Sequence, residues 1–370
     1  MRAWLIAVAL MLSVVAPVSQ AETWHDWQVF KAVYMTPQGR IVDGSDARLI
    51  TTSEGQSYAM FFALVANDKA AFDTLYNWTQ QHLAGGDLTA RLPAWLWGKT
   101  PQGYGVIDSN SASDSDLWIA YTLVEAGRLW GSDYYQNVGY LLAKRILSEE
   151  TKSYGPGNRQ LLPGKRGFEQ GEKIRLNPSY VPLPLLAAFA QHDTQGEWSD
   201  LYSGSLALLL DTQRNGVSPD WVLYDGHTIS YDAETTDIGN YNAIRSYLWA
   251  GMMPGTMEGA QSLVDSFKPF IAQSTKQQYT PLNTYAQSGK MTQRGPVGFD
   301  AALLPLMSAT LDEDATASWA ARVRENLVTD RNNEYYNNVL ALFGLGWYDN
   351  NYRFNNQGEL VVPWAKSDNP

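Results

Sequence analysis

The chain has 370 residues, a formal net charge of −11 and no cysteine. This charge disfavours nucleic acids and anionic membranes as partners, and the missing thiols exclude disulfides, thiol redox chemistry and cysteine nucleophiles. The 14 Trp and 21 Tyr are a large aromatic content, and because sugar rings present flat C–H faces that stack on aromatic rings, a neutral carbohydrate is a suitable ligand.

The N-terminal segment has the pattern of an export signal. Arg2 gives a positive start, residues 3–15 are apolar and uncharged, and Ser19-Gln20-Ala21 places small residues where a signal peptidase cleaves. The apolar run is too short for a stable membrane anchor, which is the alternative interpretation. We expect residues 1–21 to be a signal peptide, the mature chain to begin near Glu22 without a membrane span, and the protein to be periplasmic or secreted in a Gram-negative bacterium.

Helical periodicity dominates the rest of the chain, and short turns group the helices into pairs. In each pair the first helix is apolar nearly all round and must be buried, whereas the second is amphipathic. This indicates an all-α single domain over residues 22–370, with six helical hairpins closed into a ring or stacked as a flat solenoid. The predicted helices are 24–34, 54–66, 69–83, 113–130, 134–149, 178–191, 197–212, 237–250, 257–273, 296–310, 315–328 and 334–345.

Four polar residues lie at the starts of the apolar helices, namely Glu54, Asp114, Asn177 and Asn242. In a ring these starts converge at one mouth, which is a candidate active site. Glycoside hydrolysis with inversion needs a protonated carboxylic acid and a carboxylate that activates water. Glu54 suits the acid, although a glutamate in the first turn of a helix is also favoured by the helix dipole alone, as are Asp114 and Asp116.

Several segments resemble glycoside hydrolase family 8. The segment 112–120, Ala-Ser-Asp-Ser-Asp-Leu-Trp-Ile-Ala, continues to Trp130 in the pattern of the family signature, with departures at Ser115 and Thr122. Ser53-Glu54-Gly55-Gln56-Ser57-Tyr58 resembles the family's general-acid segment. Segments 177–180, 218–221 and 241–245 match in order and spacing, and segments 91–98 and 295–299 resemble the branch of periplasmic cellulases encoded with bacterial cellulose synthase.

The resemblance implies an (α/α)6 barrel, inversion at the anomeric carbon, and no metal or other cofactor. It implies Glu54 as general acid and Asp114 as the residue that binds and distorts the sugar at the cleavage point, with Tyr241 and Arg245 in the same subsite. It implies β-1,4-glucan as substrate and the cellulose synthase complex as a candidate partner. Five further aromatic residues are expected to stack on sugars, with core packing as the alternative for each: Trp95, Trp97, Tyr180, Trp221 and Tyr335.

Residue 242 departs from the family pattern, because the general base there is usually an aspartate and this chain has Asn242. A neutral amide holds a water molecule but does not accept its proton near neutral pH. Three explanations stay open: an engineered Asp-to-Asn change, a base relocated to Asp232, Glu234 or Asp237, and a binding protein that lost turnover.

Other classes of function fit less well. The four histidines are scattered and no HExxH spacing occurs, so a metal site is not expected. The Trp97-Gly98-Lys99-Thr100 segment lacks the first glycine of a phosphate loop, and no GxSxG or dinucleotide motif is present. The alternatives to a cellulase are a β-glucan-binding module without turnover and, less favoured by the negative charge, a lyase on a similar helical ring.

Overall fold

The structure is a computed structural model that describes residues 24–213 and 215–365. The predicted signal peptide therefore lies outside the described residues. The helices, in chain order, are α1 (His25–Tyr34), α2 (Ser53–Val65), α3 (Lys69–Leu83), α4 (Ser113–Trp130), α5 (Asp133–Glu149), α6 (Leu183–Ala190), α7 (Glu197–Thr212), α8 (Ile244–Met252), α9 (Ala260–Ser266), α10 (Lys268–Gln277), α11 (Val297–Ala302), α12 (Leu304–Ser308), α13 (Glu313–Asn326) and α14 (Tyr335–Tyr348). A short 3-10 helix at Pro178–Tyr180 precedes α6.

The helices form two concentric layers. In the inner layer, α2 packs on α4 and α4 on α6, and after the 3-10 helix the contacts continue through α8, α11 and α12 to α14. The ring closes where Phe343 of α14 meets Tyr58 and Phe62 of α2, with ring centroids 4.9 and 4.6 Å apart. Each inner segment is backed by an outer one: α3 on α2, α5 on α4, α7 on α6, α9 on α8, α13 on α11 and α12, and α1 on α14. The predicted all-α (α/α)6 barrel is confirmed.

The inner helices are buried because their sequences offer no polar face. All of the residues from 55 to 65 in α2 are buried. At the centre of the ring, Phe61, Trp118 and Phe343 pack with centroid distances of 4.9 to 5.7 Å. Each such aromatic side chain contributes roughly 2–3 kcal/mol when it is removed from water, so the centre holds the ring together. This core extends from Trp24 to Val362.

Four of the predicted helices differ from the observed ones. The predicted 178–191 helix is a 3-10 turn followed by α6, because Pro182 and Pro184 lack the N–H groups that a continuous helix would need. Pro269 and Pro305 accompany similar breaks, so the predicted 257–273 and 296–310 helices are each observed as two shorter ones. The predicted 237–250 helix starts only at Ile244, because residues 238–239 pair with residues 284–285 as a strand.

Short antiparallel strands connect the helices, and several of them end just before an inner helix begins. They are β1 (Thr51–Thr52), β2 (Leu96–Thr100), β3 (Gly103–Asp108), β4 (Thr151–Ser153), β5 (Arg159–Leu161), β6 (Glu169–Gln170), β7 (Lys173–Leu176), β8 (Val222–Tyr224), β9 (Ile229–Ser230), β10 (Ile238–Gly239), β11 (Pro281–Tyr285), β12 (Lys290–Arg294), β13 (Arg353–Phe354) and β14 (Leu360–Val361). They form the sheets β1-β2-β3, β4-β5, β6-β7-β8-β9, β10-β11-β12 and β13-β14. Strands β1, β3, β7, β10 and β12 lead into α2, α4, the 3-10 helix, α8 and α11, so they surround the N-terminal ends of the inner helices. Within the described ranges, no helix is long and apolar enough to cross a membrane.

Candidate active site

The side chain of Arg245, in the first turn of α8, joins the N-terminal ends of four inner segments. Its guanidinium donates to the carboxylate of Glu54 on α2, to Ser179 Oγ at 3.2 Å on the 3-10 helix, and to Asn242 Oδ1 at 3.1 Å just before α8. Asp114 Oδ2 on α4 lies 3.6 Å away. The predicted convergence of helix starts is thus observed, and three of the four polar residues meet on one cation.

Glu54 is positioned by the cap of α2. Thr52 Oγ1 accepts the N–H of Gly55 at 3.0 Å, which fixes the first turn, and a side chain at residue 55 would collide with the Tyr335 hydroxyl. About a quarter of the Glu54 side chain (24%) is exposed. Burial raises the pKa of Glu54, the charge of Arg245 opposes this, and Asp114 adds to it, with a net increase. The net increase favours the protonated carboxyl group that a general acid must supply.

Asp114 lies deeper than Glu54, on the first turn of α4. Its Oδ1 accepts the backbone N–H of Ser115 at 2.7 Å and the Ser115 hydroxyl at 3.2 Å, and its Oδ2 faces Arg245. Burial raises the pKa of Asp114, and Arg245 and the bonds from Ser115 offset part of that increase. A carboxylate held this way is rigid and retains acceptor capacity for sugar hydroxyls.

The turn that carries Asn242 is held by Asp220, a residue to which the sequence argument assigned no role. Asp220 Oδ1 accepts the backbone N–H groups of Asn240 at 2.8 Å and of Ala243 at 2.7 Å. Burial raises its pKa, although bonds from backbone N–H groups, including that of Asn242, lower it in part. Asp220 therefore fixes the backbone on both sides of Asn242. Its position in the 218–221 motif could have pointed to a role for Asp220 in the site. The backbone N–H groups that it binds, however, lie about 20 residues further along the chain.

The three carboxylates considered for a relocated base have other surroundings. Asp232 Oδ2 pairs with Arg175 at 2.9 Å, and its Oδ1 accepts bonds from Thr235. Asp237 Oδ2 accepts the backbone N–H of Gln287 at 2.8 Å. Glu234 is exposed on the same loop. These bonds of Asp232 and Asp237 stabilise the loop between β9 and β10.

The sequence as a whole matches one family of glycoside hydrolases. The model of glycosyl hydrolases family 8 matches residues 3–350. The chain belongs to glycosyl hydrolases family 8. The predicted resemblance is confirmed, and the protein is a glycoside hydrolase by class.

Relatives of this family 8 chain match it over nearly its full length. It is 45% identical to an endoglucanase of Escherichia coli O157:H7 over 97% of this chain and 96% of the relative. It is 44% identical to an endoglucanase of Salmonella typhi over 99% and 97%, respectively. Among solved structures, the endo-1,4-D-glucanase of Vibrio fischeri ES114 superposes with a TM-score of 0.89 at 48% identity, covering 93% of this chain and 100% of that one.

Three of the predicted sugar-binding aromatics in this family 8 protein lie around Arg245 or reach solvent. The ring of Tyr180 is 5.6 Å from the Arg245 guanidinium and 6.3 Å from the ring of Trp221. Trp221 in turn packs on Arg175 at 4.3 Å. Tyr241 is 51% exposed next to Asn242. These positions are compatible with stacking on a glucan chain, which stays a prediction.

The other three predicted stacking residues are more enclosed. Trp97 is buried, stacks on Tyr104 at 5.2 Å, and has the Arg40 guanidinium 4.4 Å from its ring. Tyr335 is buried against Tyr34 at 5.4 Å. Trp95 is partly exposed, and its backbone C=O accepts the N–H of Ser53 at the start of α2. The neighbours of Trp97 and Tyr335 fit the core-packing alternative better than an open stacking surface.

Tyr336, which the sequence argument did not single out, contacts the site from α14. Its hydroxyl donates to the backbone C=O of Tyr241 at 3.0 Å, and its ring lies 6.1 Å from that of Tyr241. Burial raises its pKa, and Arg245 and Glu54 are close enough to affect it electrostatically. Its place at the start of an inner helix could have predicted Tyr336 as a site residue, but the prediction fell on the neighbouring Tyr335.

Proposed function

We propose that this protein is an endo-1,4-β-glucanase that hydrolyses internal bonds of a cellulose-type chain with inversion, and that residues 22–370 act as one catalytic domain. The observation that carries the proposal is the convergence of Glu54, Asp114 and Asn242 on the guanidinium of Arg245 at the N-terminal ends of the inner helices. The full-length similarity to endoglucanases supports the substrate class.

Glu54 is the proposed general acid. Its partial exposure lets its carboxyl group approach the glycosidic oxygen, and its raised pKa favours the protonated form that donates to the departing sugar. After transfer, the new carboxylate remains next to Arg245, whose positive charge stabilises it without movement of either group. Arg245 therefore favours the charge state that forms as the bond breaks.

Asp114 is the proposed binding residue for the sugar at the cleavage point, with Tyr241 and Arg245 in the same subsite. Its rigid, buried carboxylate is able to accept hydrogen bonds from sugar hydroxyls and so to favour a distorted ring. Tyr180 and Trp221 are the proposed stacking platform on one side, with Trp95 near the start of α2. Trp97 and Tyr335 would support the rim rather than contact the glucan.

Asn242 is the proposed holder of the attacking water, but it is a poor base. Its Oδ1 accepts one hydrogen bond from Arg245, so the second lone pair of this oxygen and the NH₂ donor remain for a water molecule, and neither takes up its proton. Because Asp232 and Asp237 are engaged elsewhere and Glu234 is exposed on the same loop, a lost base is favoured over a relocated one. We therefore expect the chain to bind glucan normally and to turn it over slowly.

The test is the activity of the protein and of its Asn242→Asp variant on carboxymethylcellulose, with binding of cellohexaose measured in parallel. A lost base predicts a gain of roughly 10²- to 10⁴-fold in kcat for the variant, with binding unchanged. Equal, strong activity in both proteins would support a relocated base. Binding without turnover in either protein would support the glucan-binding alternative and contradict the hydrolase proposal.

The proposed location is the periplasm or the exterior of a Gram-negative bacterium, where the enzyme would trim β-1,4-glucan beside a cellulose synthase complex. The support is the charge and hydropathy pattern of residues 1–21 and the bacterial origin of the relatives. Intact-mass analysis of the protein from cell fractions tests the location. A periplasmic form that begins near Glu22 is expected, and an unprocessed cytoplasmic form would contradict it.

A further inference from the structure

A cavity of about 470 Å³ lies at the end of α3 and α5, next to the loops that follow them. Four cationic side chains line it, namely Arg91, Arg145, Lys165 and Arg166, and we call it the cationic cavity. The chain as a whole carries a net charge of −11. The cationic cavity is therefore a locally positive region in a chain whose net charge is negative.

The acidic residues of this region do not cancel the charge of the cavity fully. Glu149 is the one carboxylate among the lining residues, and it is already paired with both Arg145 and Lys165, the latter at 2.6 Å. Two nearby aspartates cap their own turns: Asp87 accepts the N–H of Thr89 at 2.8 Å, and Asp108 that of Asn110 at 2.9 Å.

Two of the four cations are left with little compensation. The guanidinium of Arg166 donates one hydrogen bond, to Ser109 Oγ at 3.2 Å, and Asp108 is the carboxylate on which its charge acts. Arg91 has no hydrogen bond or ion pair to another residue in the described ranges, and its guanidinium lies against Gly85, where a side chain would come within 2.9 Å of it. Arg145, by contrast, is fixed, because it donates to the C=O of Thr89 at 2.8 and 3.2 Å. The cavity thus contains one arginine whose side chain is held in place by hydrogen bonds and two whose guanidinium groups have donors free for a ligand.

The cationic cavity adjoins the loop that leads to Asp114. Asn110 and Ser111 line it, and the C=O of Asn110 accepts the N–H of Trp95 at 2.8 Å. Ser111 Oγ accepts the backbone N–H of Lys165 at 2.9 Å. The same backbone segment therefore forms a wall of the cavity and enters the helix that carries the proposed sugar-binding carboxylate.

We propose that the cationic cavity is an anion site that takes a carboxylate or phosphate group. Two guanidinium groups with free donors match the planar or tetrahedral oxygens of such an anion, and the cavity is large enough for the group and its waters. The anion is carried on a substituted glucan or is a free small ion. Only the first source depends on the proposed function of the neighbouring cleft.

Calorimetric titration of the full chain with inorganic phosphate tests the site directly. The wild type is expected to bind in a saturable way that weakens with salt, and the Arg91→Ala/Arg166→Ala double variant to lose about tenfold or more in affinity. Lys152→Ala is the matched control, since Lys152 pairs with Glu169 and is not among the lining residues. Absence of saturable binding to the wild type, or equal binding by the double variant, would overturn the proposal.

Binding of cello-oligosaccharides with and without carboxymethyl groups distinguishes the two sources. If the anion is carried on glucan, the double variant loses affinity for the substituted oligosaccharide and keeps it for the neutral one. If the anion is free, neither affinity changes while phosphate binding is lost. An equal loss for both oligosaccharides with intact phosphate binding would assign these arginines to the cleft and refute the anion site. Because no turnover is needed, failure here is distinct from failure of the hydrolase proposal.

Discussion

The pair Asp116 and Glu150 offers a sharp test of the electrostatics behind the active site. Both side chains are fully buried, on the first turn of α4 and at the end of α5, and burial raises the pKa of each carboxyl group, with the charge of Glu150 adding to the increase for Asp116. Glu150 Oε1 also accepts the hydroxyl of Ser111 at 2.5 Å. The perturbation is Glu150→Gln, which keeps the shape and removes the ionisation.

The sign and size of the effect follow from the two pKa values of Glu150. In the unfolded chain the group loses its proton near pH 4.5, whereas burial raises its pKa in the folded protein to about 8. The folded state therefore binds more protons between these values, and wild-type stability falls as pH rises from about 4.5 to about 8. At about 1.4 kcal/mol per pH unit, the loss from this residue is on the order of 5 kcal/mol. Burial also raises the pKa of Asp116, so its ionisation adds in the same direction.

Urea unfolding at pH 5, 7 and 9 measures this prediction. Wild type and Glu150→Gln should differ by less than about 1 kcal/mol at pH 5, and the variant should be the more stable protein by several kcal/mol at pH 9. Glu149→Gln is the control, with a pH dependence of stability of the opposite sign. Burial raises the pKa of Glu149, but the bonds from Lys165 and Arg145 outweigh burial and lower the pKa overall. That variant should lose about 1 kcal/mol at neutral pH and nothing at pH 3. A difference between wild type and Glu150→Gln that does not vary with pH would refute the raised pKa of Glu150.

Three further substitutions test other parts of the structure. Glu54→Gln, made in the Asn242→Asp background, should lower kcat on unactivated glucan by roughly 10²- to 10⁴-fold with an unchanged circular dichroism spectrum; near-normal turnover would exclude it as the acid. Arg128→Ala should lower the free energy of unfolding by about 3 kcal/mol, because Arg128 pairs with the buried Glu125 and donates to the C=O of Leu360 at 2.7 Å; a change below about 0.5 kcal/mol in urea unfolding would contradict this. Trp221→Ala should weaken calorimetric binding of cellohexaose about tenfold, and unchanged affinity would mean that the ring only packs on its neighbours.

The sequence predicts the layers of the barrel better than the ends of its helices. A run such as residues 59–65 has no polar side, so burial on all sides was the only stable choice, and the structure places it at the centre of the ring. The breaks at Pro269 and Pro305 were missed because the apolar pattern continues across both prolines. The late start of α8 was missed because it depends on strand pairing of Ile238 with Tyr285, far along the chain.

For the site, the sequence predicts which residues come together but not how they pair. Polar residues at the starts of buried helices must converge once the helices close into a ring, and Glu54, Asp114 and Asn242 do so. The place of Arg245 between them depends on the distances across the ring, which no local pattern contains. The enclosure of Trp97 by Tyr104 is likewise a tertiary effect, since an aromatic residue in a strand has the same local signal whether it faces a sugar or another ring.

The neutral residue at position 242 affects the acid as well as the base. The guanidinium of Arg245 bonds to Glu54 and to the uncharged Oδ1 of Asn242, with Asp114 Oδ2 3.6 Å away, so residue 242 does not compete with Glu54 for its positive charge. An aspartate at 242 would draw the guanidinium towards itself and add a negative charge near Glu54, and both changes raise the pKa of Glu54.

Because Glu54 must be protonated to act, the alkaline limb of the kcat profile should move to higher pH in Asn242→Asp, in addition to the overall gain in rate. Steady-state rates on cellohexaose from pH 4 to pH 10 measure both effects. Asn240→Asp is the matched control: it adds the same charge two residues away, where Asn240 bonds to Asn283 instead of Arg245. If that control gives the same gain and the same displacement, the effect comes from net charge near the cleft, and the link between residue 242, Arg245 and the acid is wrong.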